Sequence, residues 1–165
     1  MAVTYNSLAT TTVATSGVTQ TITFSGISAA YTDLVLVLSN VRTSTASSVY
    51  LQINGDTATN YTHCRIIAGA AGVQAADNKI LMMATDVAAS NGSAQAIFNF
   101  MLYAGSSRKV ILGTTVSGGT VNGGATGASW YSTAAITSIS ILASSGFGYT
   151  FDAGTTATIY GILRA

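Results

Sequence analysis

Charge is what this sequence has least of. Asp, Lys and Arg make up 7 % of its 165 residues and glutamate is absent, whereas an ordinary soluble domain carries roughly 25 % charged residues. Ser, Thr, Asn and Gly must therefore cover most of the surface. Because a net charge of +1 gives weak repulsion between copies, we expect the chain to form a specific homo-oligomer, with a trimer as one option.

Cysteine, proline and long apolar runs are also scarce. Cys64 is the single cysteine and proline is absent, so no intrachain disulfide forms and the chain suits synthesis in a reducing cytoplasm. The start of the chain turns polar by Asn6, which predicts no signal peptide. A membrane helix needs about 20 apolar residues, but Leu34–Leu38 is short and the stretch 66–76 is interrupted by Gln74. We therefore predict one domain over residues 1–165 that does not enter a membrane.

A lone histidine limits nucleophilic and metal chemistry. His63 precedes Cys64, and neighbouring side chains on a strand point to opposite faces, so the two cannot act as a catalytic pair. We expect Cys64 to be a small core residue and His63 to face outward or into an interface. One histidine and one cysteine cannot complete a zinc site.

The acidic residues give no better candidate for catalysis. A glycosidase needs two carboxylates, and the five aspartates are Asp33, Asp56, Asp77, Asp86 and Asp152. Each lies at an expected turn or strand end, where a carboxylate caps backbone amides, and no segment has the alternating oxygen ligands of a calcium loop. The glycine-rich stretch 118–124 lacks the Lys-Ser/Thr ending of a phosphate loop. The sequence predicts no catalytic residues, no metal and no cofactor, leaving a glycan hydrolase as a third hypothesis only.

The basic residues argue against a nucleic-acid partner, and the aromatic residues favour a glycan or another subunit. Arg108-Lys109 is the only basic pair, with Arg42, Arg65, Lys79 and Arg164 scattered, so we expect no nucleic-acid partner. Eight tyrosines and Trp130 are more than turns require. Most should pack in the core or at its rim, while exposed ones provide a glycan-binding or subunit-binding surface.

What the chain has in abundance is period-two alternation of apolar and hydroxyl residues, which is typical of β-strands. Leu34–Leu38 has no polar face, which indicates a central strand or one at a subunit contact. The predicted strands are Leu8–Thr15, Thr19–Ser25, Asp33–Asn40, Ser48–Asn54, Tyr61–Ala68, Lys79–Thr85, Ala94–Tyr103, Arg108–Ser117, Ala128–Tyr131, Ile136–Ala143 and Thr156–Leu163.

Turn residues separate these strands. Asn54-Gly55-Asp56 and Asn91-Gly92 tolerate positive φ and predict tight turns, and Ser117–Gly127 is predicted as the most flexible loop because of its glycines. Many short strands at this spacing favour an all-β fold, an antiparallel β-sandwich of jelly-roll type.

Several segments together resemble the small virion proteins of tailed bacteriophages, a family of structural and tail-fibre proteins. The resemblance runs in order along nearly the whole chain. It is carried by Tyr5–Thr12, Ile22–Ile27, Ala30–Leu36, Leu51–Asp56 with Asn60-Tyr61, Trp130–Ile139 and Ala157–Ile162.

This resemblance implies a jelly-roll-like β-sandwich on the outside of a phage particle, made in the host cytoplasm, with no active site to carry over. The first hypothesis is a capsid decoration protein that packs against the major capsid protein, other virion proteins or sister copies, because the chain lacks the long stalk of a full fibre. The alternative is a tail-fibre module that binds a host glycan through Tyr and Trp side chains.

Overall fold

A computed structural model describes residues 5–45, 47–67, 70–83, 92–118, 123–143 and 148–163. Over these ranges the chain forms twelve strands, and none of its described segments is a helix long and apolar enough to cross a membrane. The strands are β1 (Tyr5–Thr12), β2 (Thr21–Ser25), β3 (Asp33–Val41), β4 (Val49–Ile53), β5 (Tyr61–Ile67), β6 (Ala70–Asp77), β7 (Ile80–Met83), β8 (Ala94–Met101), β9 (Lys109–Ser117), β10 (Gly124–Trp130), β11 (Ser138–Leu142) and β12 (Thr156–Ile162).

The strands form two antiparallel sheets. The large sheet has the order β1-β12-β3-β8-β9-β10-β5-β6, and the small sheet has the order β2-β11-β4-β7. The first four strands of the large sheet and the four of the small sheet alternate along the chain as in an eight-stranded jelly roll. The hairpins β5–β6 and β9–β10 are insertions that widen the large sheet on one side. The predicted all-β, jelly-roll-like sandwich is confirmed.

The core lies between the two sheets and follows from the alternation in sequence. On β8 the side chains of Ala94, Ala96, Phe98 and Phe100 are buried, while those between them are exposed. Such strict alternation places one face of a strand in the core and the other outside. The small sheet contributes Ile22, Phe24, Val49, Leu51, Ile53, Ile139 and Ile141 to the same cluster.

One glycine is needed for this packing. Gly113 lies on the inner face of β9, and a Cβ atom built there would lie 2.2 Å from the ring of Phe98. The missing side chain leaves room for the Phe98 ring against β9.

Most of the strand predictions hold. Leu34–Leu38 lies in β3, an interior strand of the large sheet, with Leu34, Leu36 and Leu38 in the core and Val35 4 % exposed on the other face. The Asn54-Gly55 turn is confirmed, with φ of 52° and 66°. Gly92 has a φ of 88°, while Asn91 lies outside the described residues.

One strand in the alanine-rich segment was not predicted, and the predicted glycine-rich loop is wrong in part. Ala70–Asp77 forms β6 although its small side chains give no alternation, because it pairs with β5. The predicted loop Ser117–Gly127 includes Gly124–Gly127, which instead belong to β10 because they pair with β9 and β5. Residues 119–122 of that loop lie outside the described part of the chain.

Candidate interaction surface

His63 and Cys64 lie on opposite faces of β5, but the predicted assignment is reversed. His63 is 2 % exposed and Cys64 is exposed. Tyr61 sets the phase of the strand: it is fully buried, and its hydroxyl accepts a hydrogen bond from the Ile53 amide at 3.0 Å. Because side chains alternate, His63 must then follow Tyr61 into the interior.

Burial of His63 acts against protonation of its imidazole. Burial lowers the pKa of the imidazole, the nearby charge of Arg65 lowers it further, and the carboxylate of Asp77 acts in the opposite direction. Its Nδ1 atom is buried and has no hydrogen-bond partner among the described residues. This geometry describes a core histidine.

The carboxylate of Asp56 links the β4–β5 turn to β10. Its Oδ2 accepts hydrogen bonds from Trp130 Nε1 at 2.7 Å and Asn60 Nδ2 at 3.0 Å, and its Oδ1 accepts one from the Ala58 amide at 2.9 Å. Burial alone would raise the pKa of Asp56, but these hydrogen bonds together lower it. The carboxylate therefore holds the β4–β5 turn against β10.

Two of the other acidic residues, Asp33 and Asp77, also accept hydrogen bonds from backbone amides. Asp33, at the start of β3, accepts a hydrogen bond from the Leu102 amide at 2.8 Å, and Asp77 accepts one from the Asn78 amide at 2.7 Å. Asp152 lies at a turn after β11, and Asp86 lies outside the described residues. The described side chains contain no group of three or more His, Cys or Asp that could hold a metal.

The two residues of the basic pair point in opposite directions. Lys109 is 1 % exposed, and its ammonium donates to the carbonyls of Gly105, Ser107 and Thr133 at 2.5, 2.6 and 3.3 Å. Arg108 lies outside, with its guanidinium 4.9 Å from the centre of the Tyr131 ring. The pair forms no basic patch, because Lys109 serves to close the β8–β9 connection.

Few of the aromatic side chains are free to bind a ligand. Trp130 is 2 % exposed, and Tyr61 and Tyr103 are fully buried. Tyr131 is 41 % exposed, but Arg108 covers its ring and its hydroxyl lies 2.5 Å from Thr62 Oγ1. Tyr5, packed edge-on against Tyr160 at 6.4 Å between ring centres, is the more accessible ring.

The large sheet presents a broad face that points away from the core, which we call the outer face. Asp33 of β3 points to this side, but it is 8 % exposed and accepts a hydrogen bond from the Leu102 amide. We define the outer face by the uncharged residues that alternate with the core residues on each strand. They are Tyr5, Thr10 and Thr12; Thr156, Thr158 and Tyr160; Val35 and Val37; Gln95, Ile97 and Asn99; Val110, Leu112, Thr114 and Val116; Ala125, Gly127 and Ser129; Thr62, Cys64 and Ile66; and Ala71 and Val73.

Apolar side chains concentrate on this face. Of eleven large apolar side chains that are exposed in the described chain, six lie on β5, β6, β8 and β9 within the outer face. They are Ile66, Val73, Ile97, Val110, Leu112 and Val116, with exposed fractions from 43 % to 76 %. Contiguous apolar patches of this kind mark interaction sites on soluble proteins.

A groove runs along β10 within the outer face, and we call it the β10 groove. Its floor consists of Ala125 and Gly127, and its walls are Leu112 on one side and Ile66 and Val73 on the other. The register places Leu112, Gly127 and Cys64 side by side across β9, β10 and β5. The groove encloses about 560 Å³, which is the size of a small ligand site but open along its length.

Sequence reasoning missed this surface, although one signal for it was present. In β9, Val110, Ile111 and Leu112 are apolar in succession, as in Leu34–Leu38, so both faces of the strand need cover. The small residues of β10 and the pairing of β6 carried no such signal.

Comparison with known proteins assigns neither a family nor a function to the chain. The chain matches no protein-family model and no curated protein.

Proposed function

We propose that this chain is a structural protein of a tailed-bacteriophage virion, a capsid decoration protein that acts by packing its outer face against neighbouring subunits. The observation that carries the proposal is the outer face itself, whose defining residues are uncharged on all eight strands of the large sheet and which exposes large apolar side chains on β5, β6, β8 and β9. The assignment to a phage particle rests on a resemblance to virion proteins, which runs in order from Tyr5–Thr12 to Ala157–Ile162.

The size of the outer face supports a role in assembly. Eight strands of seven to nine residues, at about 4.8 Å spacing and about 3.3 Å rise per residue, span roughly 40 by 25 Å, or about 1,000 Å². A stable protein interface buries about 800 Å² on each partner. The face is large enough to hold a subunit in a particle.

The polar groups that first suggested chemistry have structural roles, and this supports the same proposal. Asp56 holds a turn against β10, Lys109 closes the β8–β9 connection, and His63 lies in the core. Catalysis requires groups that can reach a substrate, and these three are engaged in or enclosed by the fold.

Counting copies in purified particles tests the proposal. Quantitative mass spectrometry of virions should find the chain in a fixed ratio to the major capsid protein, and electron cryomicroscopy should locate it on the capsid exterior. A few copies confined to the tail would contradict decoration and favour the tail-fibre alternative.

The tail-fibre alternative has one observation in its favour. Tyr5 is 57 % exposed and forms an edge-on pair with Tyr160 beside the threonine pairs Thr10–Thr158 and Thr12–Thr156, which together offer ring and hydroxyl contacts of the kind that sugars use. Specific adsorption of the purified protein to host cells, lost in Tyr5→Ala, would support it. Absence of adsorption would remove it.

A further inference from the structure

We propose that a second copy of this chain docks on the β10 groove, so that two copies pack outer face to outer face around a two-fold axis. This inference rests on the proposed structural function, and it names the partner that first covers the exposed face.

The groove and the ridge that fits it lie next to each other. Along β10 the outer face carries only Ala125, Gly127 and Ser129, whereas β9 beside it carries Val110, Leu112 and Val116, which are 43 % to 57 % exposed. The β9 side chains therefore stand above the β10 floor as a ridge. A Cβ at Gly127 would meet Cys64 Sγ at 3.4 Å and Leu112 Cδ2 at 3.8 Å, so the floor is low because Gly127 has no side chain.

A ridge and a groove on adjacent strands are self-complementary. A two-fold axis parallel to the strands and between β9 and β10 places the β9 ridge of each copy over the β10 groove of the other. Strands are about 4.8 Å apart and packed sheets about 10 Å apart, so this arrangement interleaves side chains as two sheets of a sandwich do. Isologous contacts of this kind close after two copies.

Charge favours a copy of the same chain over a charged partner. None of the side chains that define the outer face is charged, so two identical faces meet without repulsion between like charges or burial of an unpaired charge. Arg65 also lines the groove, but it occupies an alternate position on β5 and its side chain lies beside Gly72 on the other face of the sheet. Arg108, just before β9, is engaged with the Tyr131 ring.

Sedimentation and thiol chemistry together test this docking. Sedimentation equilibrium should show a reversible pair of twice 16.7 kDa that dissociates on dilution. Cys64 is the only thiol and is exposed in a single copy. Its reaction with a maleimide should therefore be fast in dilute protein and at least tenfold slower where pairs predominate.

A matched pair of substitutions distinguishes the groove from the rest of the surface. Thr114→Arg places a charge on the outer face beside Ala125 and Ile97, so it should abolish pairing and restore fast labelling of Cys64. Thr21→Arg places the same charge on an exposed strand position of the small sheet and should leave both unchanged. If circular dichroism shows Thr114→Arg to be unfolded, Ala125→Arg replaces it.

A monomer at every concentration, a trimer, or equal labelling of Cys64 in single and paired copies would overturn the inference. So would equal loss of pairing in the Thr114→Arg and Thr21→Arg variants. The proposed function fails separately, by absence of the chain from purified capsids, whether or not the free protein pairs.

Discussion

Asp56 ties the β4–β5 turn to β10 through hydrogen bonds from Trp130, Asn60 and Ala58. These bonds lower the pKa of its carboxyl below the unfolded value of 3.8 although burial acts to raise it. Its contribution to stability is therefore full above about pH 4 and is lost as the pH falls through the lower folded-state pKa.

We expect Asp56→Ala to lower the free energy of unfolding near neutral pH by about 1–3 kcal/mol, because the Nε1 donor of buried Trp130 loses its acceptor. The deficit relative to the natural chain should shrink below pH 4. Urea denaturation at pH 7 and pH 3 measures both effects, and a deficit that is equal at the two pH values would contradict the assigned role.

His63 also makes the stability of the fold depend on pH, and as with Asp56 the stability falls as the pH falls. Its pKa is lowered from 6.5 chiefly by burial, so below about pH 6.5 the unfolded chain binds a proton that the folded chain resists, and stability falls with pH. His63→Gln should remove this slope between pH 7.5 and pH 5.5 in urea denaturation.

Asp77→Asn is the control for the His63 prediction. The Asp77 charge acts to raise the pKa of His63, so its removal should lower that pKa further and extend the loss of stability to lower pH. A slope that survives unchanged in His63→Gln would show that another group titrates in this range.

At the scale of elements, two glycines on neighbouring strands differ in whether a side chain would fit. Gly113 of β9 faces the core beneath Phe98, whereas Gly127 of β10 forms the floor of the β10 groove. Gly113→Ala should destabilise the protein by about 1–3 kcal/mol, because overpacking a core displaces neighbouring side chains. Gly127→Ala, whose Cβ meets its nearest neighbour at 3.4 Å, should leave stability unchanged or slightly higher.

Chemical denaturation of the two variants side by side tests this difference, and Phe98→Leu combined with Gly113→Ala should recover part of the loss, since contacting sites are not additive. Equal effects at both glycines would contradict the packing of Phe98 against β9.

The strands whose side chains alternate were predictable, and the inserted hairpins were predictable only in part. β8 and β11 bury every second residue, and this pattern is visible in the sequence. β6 and the first half of β10 consist of Ala, Gly, Thr, Gln and one Asp, with Val73 as the one large apolar side chain. Pairing with β5 and β9 makes them strands, and pairing between distant segments has no local signal.

At the scale of the whole molecule, the outer face sets how copies should associate. Because no charge lies on it, pairing should depend little on ionic strength, in contrast to association between charged surfaces. Raising NaCl from 50 to 500 mM should change the dissociation constant by less than about twofold, whereas sodium sulfate should strengthen pairing through greater exclusion from apolar surface.

Sedimentation equilibrium across these salts checks the expectation, with Thr114→Arg as the variant in which pairing is lost at every salt concentration. Weakening by tenfold or more in NaCl would indicate that charged residues outside the outer face hold the pair together.

The sequence by itself determined the fold class of this protein. Low charge, one cysteine, no proline and period-two alternation are local properties, and they are sufficient to predict strands, turns and an antiparallel sandwich. They also predicted that Leu34–Leu38 is a central strand or one at a subunit contact, and in the structure it lies in β3, an interior strand. Its apolar residues occupy both faces, so no neighbouring strand had to be known.

Only the tertiary structure decided which side of each strand faces out and what lies beside it. Tyr61 fixed the phase of β5, which reversed the expected positions of His63 and Cys64. The β10 groove exists because strands far apart in sequence place Leu112, Gly127 and Cys64 in one row. Alternation specifies that a strand has two faces, but the long-range pairing of strands decides what each face contacts.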